Sequence, residues 1–239
     1  MAAPPKSLPD TAPGGLLPAA AIGAGLVAYG NLSTLFLGAP FSDAANLGML
    51  ALVVVVARWQ QLDIGLTALG WQKALVVGVA SGAALAAPSL LFFAFPLILP
   101  GPVAYPGIAG LSEADLAYLL LARLLVGTAV FEETAFRGLL QSTLIVATGR
   151  TRGVILTTLA FALWHIVVLY LTVGQTNVAT GILPWWIPFL LGFLPVAAAG
   201  LVWSYLRLRT GSLIAPIASH WTVVGLMDLA LYVGPRVSG

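Results

Sequence analysis

Long, mainly apolar segments are the feature of this sequence that most restricts its fold. The segments 74–94 and 187–206 each approach the roughly 20 residues that a helix needs to cross the hydrocarbon core of a bilayer. Over the whole chain 60% of the residues are hydrophobic and only 8% are charged, whereas a soluble domain carries about 25% charged residues. A water-exposed surface cannot be built from so few charges, so the chain is predicted to be an integral membrane protein.

Composition also excludes several classes of protein and site. The chain has 239 residues and no cysteine, which excludes disulfides, thiolate nucleophiles and zinc-thiolate sites. Its net charge of +2 comes from basic residues that do not cluster, so no nucleic-acid partner is expected. Residues 1–14 are rich in proline and glycine and lack an obvious cleavage site, so they are predicted to be a disordered tail and not a signal peptide.

The apolar segments predict about seven membrane spans in one all-α helical bundle within the lipid bilayer. The predicted spans are 15–37, 44–57, 74–96, 116–147, 154–173, 185–206 and 212–233. The second is short enough to be re-entrant. The sequence shows no internal repeat and no soluble domain, so residues 15–111 are predicted to be N-terminal transmembrane helices that precede a functional core at 112–234.

Among the linkers between these spans, only alternate ones carry positive charges. Linkers 59–73, 150–153 and 207–211 carry the cations, with one more at the edge of the second span: Arg58, Lys73, Arg150, Arg152, Arg207 and Arg209. The other linkers contain no lysine or arginine. Because cytoplasmic loops are enriched in these residues, the pattern predicts a multi-pass protein of the cell membrane with its N-terminus in the cytoplasm and its C-terminus outside.

The fourth span is longer than a simple crossing requires. Ser112 followed by Asp115 predicts a helix N-cap with an acidic first turn, and apolar sequence then continues to Ala147. At 1.5 Å per residue such a helix is about 50 Å long, against a bilayer core of about 30 Å. We therefore expect it to begin at the interface and then to bend inward.

Charged side chains inside this span indicate a functional site. Glu132, Glu133 and Arg137 fall near bilayer depth, where ionisable groups are costly and usually face the bundle interior. Glu133 and Arg137 are four residues apart on one helix face, so we expect them to form a structural ion pair. Glu132 is rotated from Glu133 by about 100° and is left to meet another partner.

The only two histidines of the chain, His165 and His220, also lie within predicted spans. Counted from the cytoplasmic ends of their spans, Glu132 lies about 24 Å deep, His165 about 18 Å and His220 about 14 Å. Three helices could therefore bring one carboxylate and two imidazoles into a single intramembrane cavity. A lone membrane histidine is more often a packing residue, but two of them beside a spare glutamate favour a functional site. Asp228, eight residues after His220, could face the same cavity.

These residue types permit two kinds of chemistry. A carboxylate and an imidazole can jointly take a proton from water, and a second imidazole can stabilise an oxyanion, as amide hydrolysis requires. The same three side chains, Glu132, His165 and His220, could instead bind Zn²⁺ and activate water at an open coordination position. Spacing alone does not choose between the two, and our expectation is that no cofactor is required.

At these residues the sequence resembles the CPBP family of intramembrane proteases, which includes CAAX prenyl protease 2 and the bacteriocin-processing and immunity-type enzymes of the Abi family. The resemblance covers about residues 116–231. The family motifs Glu-Glu-x-x-x-Arg and Phe-x-x-x-His are matched in order by Glu132, Glu133 and Arg137 and by Phe161 and His165. A third motif is a histidine followed four residues later by asparagine. His220 matches its first position, but the second is Val224.

The resemblance implies a four-helix catalytic core and an intramembrane endopeptidase. Within it Glu132 and His165 would activate the attacking water, while His220 and the missing asparagine would stabilise the oxyanion. The substrate would be a membrane-associated peptide or protein, such as a CAAX tail, a bacteriocin or a signal peptide. Because Val224 stands in place of that asparagine, a second interpretation stays open, in which the chain is a catalytically silent relative that acts as an immunity or scaffold protein. A proton-coupled transporter is the remaining alternative, against which the absence of paired inverted halves counts.

Overall fold

The chain folds into a bundle of membrane-length helices. The computed structural model describes residues 15–38, 41–66, 70–94, 101–179 and 184–238. These described residues form helices without any strand: α1 (Leu16–Phe36), α2 (Phe41–Trp59), α3 (Trp71–Ala94), the short α4 (Pro106–Ala109), α5 (Glu113–Thr148), α6 (Arg150–Trp164), α7 (Ile166–Gly174), α8 (Trp186–Thr210) and α9 (Ile214–Ser238). The predicted tail at residues 1–14 lies outside the described residues.

Six of these helices are long and apolar enough to cross a membrane, and α6 with α7 add a seventh span that is bent by 40°. This confirms the predicted all-α, multi-pass bundle with about seven spans. Helix α2 has 19 residues, enough for a full crossing, so its length does not require a re-entrant segment. Helix α1 packs on α6 and α2 on α5. The boundary between an N-terminal part and a core at 112 stays a prediction.

Helix α5 runs without a break over 36 residues, so an interfacial helix is not separated from the membrane span. Its predicted N-cap is present, because Ser112 Oγ accepts a hydrogen bond from the Asp115 N–H at 3.2 Å. The hydrogen bonding takes the wider π pattern over Leu119–Val130 and again over Thr134–Leu140. π-Helical turns occur frequently at functional sites. Their position on both sides of Glu132 and Glu133 therefore indicates a candidate site in this part of α5.

Small residues at every fourth position let α3 and α9 approach closely. The buried residues of α3 are Ala74, Gly78, Gly82 and Ala86. A Cβ atom on Gly78 would lie 2.5 Å from the Ala215 carbonyl oxygen, and one on Gly82 would lie 2.6 Å from that of Ser219. Close backbone approach of this kind stabilises helix pairs in membranes. It fixes the position of α9, which carries His220.

Loop contacts define the two ends of the bundle. At one end the Asp63 carbonyl oxygen accepts hydrogen bonds from Ser142 Oγ on α5 at 3.3 Å and from Arg207 Nη2 on α8 at 2.9 Å. At the other end Arg236 Nη2 on α9 donates to the Leu111 carbonyl oxygen at 2.9 Å. The cation-bearing linkers lie at the Asp63 end, which we call the cationic end. Its assignment to the cytoplasm stays a prediction from the positive-inside rule.

Candidate active site

Glu133 and Arg137 form a fully buried ion pair within α5. Arg137 Nη1 lies 3.1 Å from Glu133 Oε1, and neither side chain is exposed. Arg137 Nη2 donates to the Gly200 carbonyl oxygen on α8 at 3.0 Å. Its guanidinium carbon lies 4.1 Å from the ring centroid of Phe161 on α6. A buried charge is tolerated when it is paired and hydrogen-bonded, so Arg137 joins α5, α6 and α8 at the level of the glutamates.

His220 binds the same glutamate. Its Nδ1 lies 2.9 Å from Glu133 Oε1, and because a carboxylate accepts, this nitrogen carries a proton. The His220 ring stacks on Trp203 with centroids 4.1 Å apart and planes inclined by 16°. Trp203 Nε1 donates in turn to Ser219 Oγ at 3.0 Å. Sequence reasoning gave Glu133 a single partner, but α9 approaches α5 from the side of Glu133 and gives it a second.

Glu132 faces His165 at the more accessible part of the cluster. Glu132 Oε2 lies 3.7 Å from His165 Nε2, which is too far for a direct hydrogen bond. These side chains are 9% and 15% exposed, whereas Glu133 is fully buried and His220 is 3% exposed. Of the two glutamates, Glu132 is therefore the less deeply buried one.

The hydrogen bonding of His165 sets the role of its second nitrogen. His165 Nδ1 lies 2.8 Å from the Phe161 carbonyl oxygen, and since a carbonyl only accepts, Nδ1 carries the proton. In the neutral ring Nε2 is then an acceptor. Glu132 Oε2 is also an acceptor, and no hydrogen-bond donor occupies it. A single water molecule can donate one hydrogen to each of these two atoms.

The Phe161 ring packs between the two histidines. Its centroid lies 4.4 Å from that of His165 and 6.3 Å from that of His220. Helices α5, α6 and α9 thus bring the six sequence-predicted site residues into one buried cluster: Glu132, Glu133, Arg137, Phe161, His165 and His220. Their geometry suits proton transfer to and from water beside a second imidazole.

Comparison with known families identifies the part of the chain that holds this cluster. Residues 114–226, just under half of the chain, match the family described as Rce1-like type II CAAX prenyl endopeptidases. This segment is an Rce1-like CAAX endopeptidase domain. The match confirms the resemblance to CPBP intramembrane proteases and indicates protease activity on a peptide or protein at the membrane. No curated protein and no solved structure gives a significant match to the chain.

A residue outside the Rce1-like domain holds the break that positions His165. His165 lies between α6 and α7 with φ −89° and ψ −1°. Asn31 on α1 donates from Nδ2 to the Leu163 carbonyl oxygen at 3.0 Å and accepts from the Val167 N–H at 3.1 Å. These bonds satisfy backbone groups on both sides of the break. Sequence reasoning missed Asn31, although an amide side chain within an apolar span was a signal that could have found it.

Two further expectations, a contact of Asp228 with the site and a three-ligand metal site, are not seen among the described residues. No hydrogen bond or ion pair joins Asp228 to a site residue, and Val224, one turn after His220, has no polar group. No three His, Asp or Glu side chains among the described residues are grouped as a metal site. Glu132 with His165 and Glu133 with His220 form two pairs instead. Zinc binding by Glu132, His165 and His220 stays a prediction.

Replacing Glu133 with glutamine should destabilise the folded protein. The substitution removes the negative charge that faces both Arg137 and His220, and breaking a buried ion pair costs about 3 to 5 kcal/mol. Thermal unfolding in one detergent should therefore give a lower midpoint for Glu133→Gln than for Glu132→Gln. Wild-type stability combined with complete loss of activity in Glu133→Gln would show that the two glutamates have exchanged roles.

Proposed function

We propose that the protein is an intramembrane endopeptidase that hydrolyses a peptide bond in a membrane-associated peptide or protein, using water activated by Glu132 and His165. The observation that carries this proposal is the 3.7 Å approach of two acceptor atoms at the less deeply buried part of the cluster, His165 Nε2 and Glu132 Oε2. Glu132 Oε2 accepts no hydrogen bond from a described residue. Carboxylates and imidazoles are the usual general bases of enzymes.

In the proposed reaction one water molecule donates its hydrogens to Glu132 and His165. As its oxygen attacks the carbonyl carbon of the substrate, the Glu132 carboxylate takes a proton and the carbonyl oxygen becomes an oxyanion. When the tetrahedral intermediate collapses, the protonated Glu132 returns that proton to the leaving amine. Glu132 thus acts first as a base and then as an acid, and no proton has to cross the apolar bundle.

His220 is the proposed stabiliser of the oxyanion. Its Nδ1–H is already engaged by Glu133, so Nε2 can donate to the oxyanion only when the ring carries both protons. The hydrogen bond to the Glu133 carboxylate fixes the ring orientation. Charge stabilisation in a buried site is often the largest single contribution to catalysis. Glu133 and Arg137 are therefore proposed as positioning residues.

The substrate class to test first is a prenylated C-terminal tail, because the matched family is described as CAAX prenyl endopeptidases. The protein reconstituted in liposomes should be incubated with a farnesylated CAAX peptide, its unprenylated counterpart and a signal-type membrane peptide. In H₂¹⁸O, mass spectrometry should find ¹⁸O in the new carboxylate of a cleaved product. Failure to cleave any of these peptides would favour a catalytically silent relative. Val224 is the observation that favours this alternative, because it replaces the asparagine of the third motif.

Peptide cleavage should not depend on added metal. The described residues provide two carboxylate–imidazole pairs and no three-ligand group, whereas a catalytic zinc site has three protein ligands and an open position. We expect purified protein to retain activity after dialysis against a strong chelator and to contain no stoichiometric zinc. Elemental analysis that finds one zinc per chain, lost together with activity, would contradict this expectation.

A further inference from the structure

Between the site and the cationic end, α5 and α8 enclose a row of buried polar atoms without partners. The atoms that make no hydrogen bond to a described residue are Arg137 Nε, Gln141 Oε1, Ser204 Oγ and Arg207 Nε. At most 1% of the surface of Arg137, Gln141 and Ser204 is exposed, and 8% of that of Arg207. Glu133 Oε2, at the inner end of the row, is also without a donor. We call this row the polar seam.

The polar groups of the seam follow one another along α5 and α8 from the site toward Asp63. Beyond the contact of Arg137 with α8, Gln141 Nε2 donates to the Ser204 carbonyl oxygen at 3.3 Å. One turn further on, Arg207 Nη2 donates to the Asp63 carbonyl oxygen at 2.9 Å, and the Asp63 side chain is 84% exposed. Successive polar groups thus lie one helical turn apart until they reach the aqueous surface.

Burying these atoms without partners is costly. A buried donor or acceptor left unsatisfied costs about 1 to 3 kcal/mol, and native proteins have few of them. Thr143 and Thr157 avoid this cost, since each donates to the carbonyl four residues earlier, whereas the buried hydroxyls of Ser42, Thr158 and Thr222 lie outside the row and also lack a partner among the described residues. The equivalent carbonyl for Ser204 is that of Gly200, which accepts from Arg137 instead. The remaining ligand that suits donors and acceptors together is water, which makes about three hydrogen bonds when buried.

We propose that the polar seam binds a short file of ordered water molecules that connects the Glu132 and Glu133 site with the aqueous surface at Asp63. The arginine Nε–H groups donate to these waters, Gln141 Oε1 accepts from them, and Ser204 Oγ does both. Since the outward surfaces of the bundle carry large apolar side chains, the file supplies the water that peptide hydrolysis consumes. Only the supply of water for hydrolysis rests on the proposed function; the water file itself does not.

The absence of cysteine in the chain allows a direct test with single cysteines. Ser204→Cys places a near-isosteric thiol in the polar seam. Thr157→Cys is the matched control, because Thr157 is equally buried, its hydroxyl is satisfied, and it lies at a similar distance from the cationic end. Proteoliposomes of each variant are exposed to Ag⁺ in chloride-free buffer, and the remaining thiols are titrated after unfolding. We expect complete loss of the Ser204→Cys thiol under conditions that leave the Thr157→Cys thiol intact.

Equal protection of the two thiols in folded protein would overturn the water file. If Ser204→Cys does not fold, Gln141→Cys provides a second position in the polar seam, and protection there has the same meaning. The labelling requires no cleavage assay, so it separates the two proposals. A reactive thiol in the seam of a protein that cleaves no peptide supports the water file and contradicts the protease. Peptide cleavage by a protein whose seam thiol is protected supports the protease and contradicts the water file.

Discussion

Glu132→Gln should abolish measurable peptide hydrolysis while leaving a folded protein that can be extracted from the membrane. The amide keeps the size and polarity of the side chain but cannot take a proton from water, and general-base catalysis contributes about 10²- to 10⁴-fold to a rate. Because Glu132 has no ion-pair partner other than His165 at 3.7 Å, its charge contributes little to holding the helices together. Initial rates in liposomes should fall to background, and the thermal unfolding midpoint should stay near that of the wild type.

Glu113→Gln is the matched control for this prediction. It makes the same substitution on the same helix, but at an exposed position in the first turn of α5, so hydrolysis should be unchanged. Full activity in Glu132→Gln would contradict the proposed mechanism, in which Glu132 is the base. Loss of activity together with a lowered unfolding midpoint would contradict a purely catalytic role and show that Glu132 also stabilises the bundle.

The fold was largely predictable because a bilayer allows few solutions. Apolar segments of the right length must become helices, since backbone groups cannot remain unsatisfied in hydrocarbon. The break between α6 and α7 was not predictable in the same way. Its unpaired backbone groups are satisfied by Asn31, which comes from a helix more than a hundred residues earlier in the chain. Local sequence therefore predicted a continuous span where tertiary contacts hold a bend of 40°.

The candidate site shows the same division between local and tertiary information. The contact of Glu133 with Arg137 follows from helix periodicity alone, because residues four apart share a face. The contact of His220 with Glu133 does not follow from helix periodicity. Counting residues gives the depth of a side chain but not the side from which its helix arrives, and α9 is placed by its close contact with Gly78 and Gly82 of α3. Sequence reasoning thus grouped the right residues without assigning His220 to Glu133.

Val224→Asn should raise the turnover of a cleaved substrate by up to about 10²- to 10³-fold, the usual contribution of one oxyanion donor. Position 224 lies one turn after His220 on α9, so an amide there would share a face with the imidazole. An interaction made mainly in the transition state changes kcat and leaves KM nearly constant. Val224→Leu is the control, because leucine has nearly the shape of asparagine but no donor, and its turnover should stay at the wild-type level.

The outcome at position 224 separates an active enzyme from a silent relative. If neither the wild type nor Val224→Asn cleaves any peptide while both are folded, the pairing of Glu132 with His165 serves no hydrolysis, and the immunity or scaffold function gains support. If the wild type is active and Val224→Asn has no further effect, another donor completes the oxyanion site, with Asp228 or a backbone amide as the nearest candidates. An increase confined to Val224→Asn, and absent from Val224→Leu, would show that the oxyanion forms beside His220 and that the natural enzyme works without its second donor.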